Sequence, residues 1–157
     1  PTCVEALYAR SSAAYHGWLL TKDPARIPRY MVDLYRARAL SPQAVFWVYA
    51  GKSFVMNDRP VEAMAELQVA LRLADDQRDA LTSAMGRAWL GSAMIMGGEQ
   101  VDALRLWLDA LRIAPDAPTT YDFLPWARQL TRERRERLLA AVPAARRGDV
   151  ERALRGE

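Results

Sequence analysis

Residues 61–76, VEAMAELQVALRLADD, return as residues 101–116, VDALRLWLDALRIAPD, with the second copy beginning 40 positions after the first. Val61/Val101, Ala63/Ala103, Ala70/Ala110, Leu71/Leu111, Arg72/Arg112, Ala74/Ala114 and Asp76/Asp116 are identical pairs. Glu62/Asp102, Met64/Leu104, Leu67/Trp107 and Leu73/Ile113 keep their chemistry. Apolar residues recur at helical spacing in both copies, so each reads as an amphipathic helix. A unit of this size cannot bury its apolar face alone and stacks on its neighbours to do so.

Working outward, breaker residues mark the remaining helices. Val4 to Leu20, with Leu7, Ala14 and Trp18 at helical spacing, contains no internal proline. Asp23-Pro24 is a cap followed by a first-turn proline and opens a second helix to about Leu40, with Pro28 near its start. Ser41-Pro42 repeats the device for a third helix, to about Met56. Asn57-Asp58 is turn chemistry, and Pro60 starts the fourth, which ends at Asp75-Asp76. The fifth helix is expected from about Gln77 to Met96, stopped by Gly97-Gly98, and the sixth from Gln100 to Ala114, closed by Pro115. Thr119 or Thr120 caps a seventh near Tyr121. TRERRERLLAA, from Thr131, is another helix, and Pro143 with Gly148 leaves a short last one from about Val150. No stretch alternates as a strand would, and the expected fold class is all-α.

Composition sets bounds. The chain has 157 residues, 51% apolar and 26% charged, enough for one domain with a sizeable core. Of the net charge of +3, the segment from Arg128 to Glu157 carries more than its share, with nine Arg against five acidic residues. Glu133 and Glu136 interleave with Arg132, Arg134, Arg135 and Arg137, the pattern of a solvated helix laced with ion pairs. That pattern, with no interleaved aromatics, argues against nucleic acid. An amphipathic cap burying Leu130, Leu138, Ala141 and Val142 over the last repeat is expected instead. Cys3 is the only cysteine, which excludes an internal disulfide or a cysteine-based zinc site. There is no apolar run long enough to span a membrane and no leader, so a cytoplasmic setting is expected.

The two echoing units resemble the tetratricopeptide repeat. Matching positions are Trp47, Gly51, Phe54, Ala63, Leu67 and Ala70 in one, and Leu90, Gly91, Met94, Gly98, Ala103, Trp107, Ala110 and Pro115 in the other. Gly51 and Gly91 are expected to face Ala63 and Ala103 where paired helices cross closely. A third, weaker unit carries Gly17, Leu20, Tyr30, Leu34, Ala37 and Pro42, with His16 where a Leu is usual. The family's period is about 34 residues, and the additional residues here, Asp76 to about Leu81, are expected to extend the start of the fifth helix. The resemblance implies a right-handed helical-hairpin solenoid of about three units: a degenerate unit over 4–40, units over 43–76 and 77–116, and capping helices over 119–157, all one domain.

The same resemblance implies a concave peptide-binding groove lined by Val45, Val48, Lys52, Val55 and Met56, and by Met85, Ala88, Ser92, Ile95 and Met96. This surface is apolar with one cation. The family's clamp for a C-terminal carboxylate needs Lys, Arg and Asn where Val48, Ala88 and Ser92 stand, so that variant is rejected. The groove suits an amphipathic or apolar segment of a partner protein, as in an adaptor, scaffold or chaperone. Size and unit number are similar to those of the translocator chaperones of bacterial type III secretion. The alternative is a self-associating assembly or regulatory domain, the groove filled by the chain's own tail or a dimer mate. No catalytic, metal or cofactor motif stands out. His16 lacks a partner His, Asp75-Asp76 reads as a helix end, and no phosphate loop or nucleophile elbow occurs.

Overall fold

The computed structural model describes residues 3–21 and 26–157, and the side chains of residues 18, 19 and 26–29 are outside that description. The expected Asp23-Pro24 cap and the packing of Trp18 therefore lie outside the described residues. Nine α-helices are found among them: α1 (Cys3–Thr21), α2 (Arg26–Leu40), α3 (Ala44–Met56), α4 (Pro60–Asp76), α5 (Ala80–Met96), α6 (Gln100–Ile113), α7 (Leu124–Ala127), α8 (Arg132–Ala141) and α9 (Ala144–Arg155). A single 3₁₀ turn, Pro118–Tyr121, precedes α7. The all-α expectation holds. Helices α1 and α2, α3 and α4, and α5 and α6 pack as sequential antiparallel pairs, with α5 also lying against α3 and α4.

Three successive turns share one geometry. Asp58, Arg78 and Gly98 each take a left-handed conformation, at φ 57°, 55° and 87°. One residue later, the N–H groups of Arg59, Asp79 and Glu99 donate to the carbonyls of Phe54, Ala74 and Met94 at 3.0, 2.9 and 3.0 Å. These bonds satisfy carbonyls that the end of each helix would otherwise leave open. The next helix then starts at Pro60, Ala80 or Gln100. The helices on either side of the middle turn, α4 and α5, are 17 residues each, against 13 for α3 and 14 for α6. Asp76 ends α4, and Asp79 caps α5 by accepting from the Thr82 N–H at 3.0 Å. The expected start of the fifth helix at Gln77 is corrected to Ala80.

Ser41 is not the cap of α3. The Ala44 N–H reaches Oε1 of Gln77, 3.3 Å away, while Nε2 of Gln77 donates to the Pro42 carbonyl at 2.8 Å. A side chain from the α4–α5 turn thereby closes the helix at the far edge of the preceding hairpin.

Glycine lets the paired helices approach. A Cβ on Gly51 would lie 2.3 Å from Cγ of Leu67, and one on Gly91 only 2.4 Å from Nε1 of Trp107 and 3.0 Å from the Ala103 carbonyl oxygen. Gly91 therefore meets Ala103 as expected. At Gly51 the close neighbour is Leu67, one turn beyond Ala63. Leu67 and Trp107 are fully buried.

The core is a string of three apolar clusters. Tyr15, Tyr30, Leu34 and Phe46 join the first hairpin to α3. Val48, Val55, Leu67, Met85 and Trp89 join α3, α4 and α5. The third unites Ala88 and Ile95 of α5 and Leu104, Trp107 and Leu111 of α6 with Tyr121, Phe123, Leu130, Leu138, Val142, Val150 and Leu154. The C-terminal segment is thus part of the core.

Of the expected cap residues, Leu130, Leu138 and Val142 are buried and Ala141 is exposed, because α8 turns that side outward. The last helix begins at Ala144, not Val150. Pro143 sits just before it, where its missing N–H breaks no helical bond, and a lone glycine, Gly148, is tolerated inside. Near Tyr121 the chain forms the 3₁₀ turn and then α7. Thr120 is no cap there, since its hydroxyl donates back to the Ala114 carbonyl at 2.8 Å.

Candidate functional site

The helical repeat places Val45, Val48, Lys52 and Val55 on one stripe of α3, and Met85, Ala88, Ser92 and Ile95 on the corresponding stripe of α5. Val48, Val55, Met85, Ala88, Ser92 and Ile95 are buried, whereas Val45, Lys52, Met56 and Met96 are half-buried. Two contacts account for the difference. At Gly86, where a Cβ would stand only 2.9 Å from Cδ2 of Leu71, α5 packs closely on α4 and also meets Val48, whose Cγ2 lies 3.6 Å from that point. The chain after Pro115 then crosses α5, and its Tyr121, Phe123 and Ala127 share a core with Ala88 and Ile95, while Trp126 packs against the Val48, Met85 and Trp89 cluster. The Ser92 hydroxyl donates to the Ala88 carbonyl at 3.0 Å and is consumed within its own helix. Met85, Ala88, Ser92 and Ile95 on α5 and Val48 and Val55 on α3 are interior to the chain, and the partly open positions are Val45, Lys52 and Met56 on α3 with Met96 at the end of α5.

Lys52 marks the boundary. Its Nζ lies 3.6 Å from Oδ2 of Asp122, 4.9 Å from the centre of the Trp89 ring and 5.5 Å from that of Tyr15. Three elements far apart in sequence, α1, α3 and the loop before α7, converge there with α5. Burial, and then the nearby Asp122 carboxylate, push the Tyr15 phenol up to about 12. Trp126 meets Trp89 edge to face at 5.3 Å, and the buried Nε1 of Trp89 has no hydrogen-bond acceptor. Of this group, only Lys52 was among the expected site residues. Trp89 is legible as an additional large residue beside the stripe, but Asp122 belongs to a stretch with no periodicity and could not be placed.

A second concavity, about 380 Å³, opens between α2, α3 and α4, with Trp47, Phe54, Glu62 and Glu66 in its lining. Its charges are matched internally. Arg38 pairs with Glu66 at 2.6 Å and lies over the rings of Tyr35 and Trp47, and Arg59 pairs with Glu62 at 2.7 Å and lies over Phe54. Burial, followed by the Glu66 carboxylate, pushes the Tyr35 phenol up to about 12.

Several arginines of the C-terminal segment act as fasteners. Arg128 donates to the Ala153 carbonyl at 2.8 Å, and Arg146 donates to the Asp116 carbonyl at 2.8 Å with its guanidinium over Tyr121. Arg132 and Arg152 pair with Glu136 and Asp149. His16 is exposed, its Nδ1 2.8 Å from the Ser12 carbonyl oxygen of its own helix, and Cys3 is exposed. Among the described residues no group of three or more His, Cys, Asp or Glu is placed to hold a metal, and no helix is long and apolar enough to cross a membrane. Comparison with protein-family models, curated proteins and solved structures finds no match to this chain.

Proposed function

We propose that this chain is a protein–protein interaction module: tetratricopeptide-like hairpins stacked as a right-handed solenoid, acting as an adaptor, scaffold or chaperone in the cytoplasm rather than as an enzyme. The repeated turn geometry and the close helix crossings at Gly51 and Gly91 support the architecture. The observation that carries the function is the asymmetry of the concave stripe. Its middle on α5 is covered by the chain's own Tyr121, Phe123 and Trp126, while Val45, Lys52 and Met56 on α3 and Met96 at the end of α5 stay partly open. An apolar strip with a central cation takes an extended or helical peptide by side-chain insertion. Internal covering of the middle of α5 also supports the own-tail version of self-occupancy over a dimer mate at that place.

The test uses a panel of amphipathic peptides titrated against the full chain. Val45→Asp combined with Met56→Glu is expected to weaken binding at least about tenfold, a loss of about 1.4 kcal/mol, with helix content by circular dichroism unchanged. Retained binding by a folded double variant refutes the groove. Val48 and Ile95 are unsuitable for this test, since both are buried and a carboxylate there would unfold the chain.

A further inference from the structure

Lys52 is the one cation among the groove positions, and among the described residues its nearest carboxylate stands outside hydrogen-bond distance. An ammonium offers three donors. The nearest anion, Asp122, stands 3.6 Å away, beyond the roughly 2.7–2.9 Å of a charge-assisted hydrogen bond. The rings of Trp89 and Tyr15 attract the charge through their faces and offer no lone pair. Nε1 of Trp89, on a side chain that is 3% exposed, is a further donor without an acceptor. Lys52 and Asp122 keep 21% and 30% of their side-chain surface, so solvent and ligand reach the pair. Phe123, directly after Asp122, is fully buried and stacks on Trp107 at 4.9 Å. The Asp122 carboxylate can therefore swing away while the backbone that carries it stays docked.

Resting on the groove reading above, we infer that Lys52 is the recognition point for an acidic side chain carried within an apolar segment of the partner. Asp122 is the built-in competitor that holds this point when no partner is bound. The occupant's chemistry is read from the chain's own one, an aspartate between Tyr121 and Phe123 on a continuing backbone, and from the positive charge it meets. The contact is a single charge among aromatic walls. Exchange of one loose carboxylate for another at hydrogen-bond distance replaces a long ion pair, 3.6 Å, with a charge-assisted hydrogen bond. Binding becomes selective for acidic segments and weaker in salt.

The experiment titrates full-length protein with an end-blocked peptide, Thr-Tyr-Asp-Phe-Leu-Pro, and with its Asn counterpart. Neither contains tryptophan, so a change in the protein's own tryptophan emission, to which Trp89 and Trp126 beside Lys52 contribute among five, reports binding. Asp122→Asn is expected to bind the Asp peptide roughly two- to fivefold more tightly than the unaltered chain, the range of a partly exposed ion pair. It should leave affinity for the Asn peptide unchanged. In the Lys52→Met, Asp122→Asn double variant the two peptides should bind alike. Equal affinity of the Asp and Asn peptides for the Asp122→Asn variant overturns the inference, as does absence of binding to all three proteins. Neither result touches the Val45 and Met56 test, which judges the groove by itself.

Discussion

Replacing Gly91 with alanine puts a methyl group where α5 and α6 cross. The added Cβ would sit 2.4 Å from Nε1 and 2.7 Å from Cδ1 of Trp107, against an ordinary contact of 3.4–4 Å, so ring or helix must move by about 1 Å. The ring has little freedom: Trp107 is fully buried, stacks on Phe123, and its Nε1 donates to the Ala88 carbonyl at 3.0 Å. Overpacking costs about 1–3 kcal/mol. Losing the buried hydrogen bond costs about 1–3 kcal/mol more. Replacing a helical glycine by alanine returns about 1 kcal/mol. The net expectation for Gly91→Ala is a loss of about 1–5 kcal/mol, and its middle value of about 3 kcal/mol lowers Tm by roughly 6–12 °C. Gly51→Ala meets a clash as close, 2.3 Å from Cγ of the fully buried Leu67, but breaks no side-chain hydrogen bond and is expected to cost less. Gly148→Ala is the control, because its Cβ would find only an arginine tip, Nη1 of Arg152 at 3.8 Å, and it should gain about 0.5–1 kcal/mol. Urea denaturation followed by circular dichroism ranks the three. A Gly91→Ala protein as stable as the unaltered chain would refute the close crossing.

Two further outcomes can be checked on the same protein. Removing residues 143–157 deletes Val150 and Leu154 from the third core cluster, at about 1.5–3 kcal/mol each. It is expected to lower stability and cause association by light scattering, so an unchanged monomer of unchanged stability would count against docking of α9. Alkaline titration should loosen the first hairpin. The Tyr15 phenol is raised to about 12, and those of Tyr8 and Tyr30 are also raised, in each case first by burial. Above pH 10 the unfolded chain releases these protons before the folded one does. Stability present below pH 10 is therefore lost as pH rises toward 12, and circular dichroism recorded beside phenolate absorbance should show helix loss accompanying ionisation.

Residues whose signals are local were legible. Pro60, Gly97-Gly98 and Pro115 located the helix ends, and the 61–76 echo gave the pairing of α3 with α4 and α5 with α6. The turn at 77–79 was not legible, because Gln-Arg-Asp contains no Gly or Asn and yet Arg78 adopts the left-handed conformation that those two residues favour. Pro143 was misread because proline breaks a helix interior but is compatible with a helix start. The groove positions on α3 and α5 follow from helical spacing, but their burial does not, since it is decided by a segment with no periodicity, residues 118–127, folding across α5. The Lys52–Asp122 contact joins residues 70 positions apart and leaves no mark in either neighbourhood.

The matching turns at Asp58 and Gly98 give the gene a natural seam. Cutting after each of these residues would release a cassette, residues 59–98, whose two ends carry the same hydrogen-bond pattern, Arg59 to Phe54 and Glu99 to Met94. Inserting a second copy after Gly98 would recreate at the junction a turn the chain already makes. A protein built this way can lengthen by a copied pair of helices, the copy nearest the C-terminus still presenting Ala88 and Ile95 to Tyr121 and Phe123.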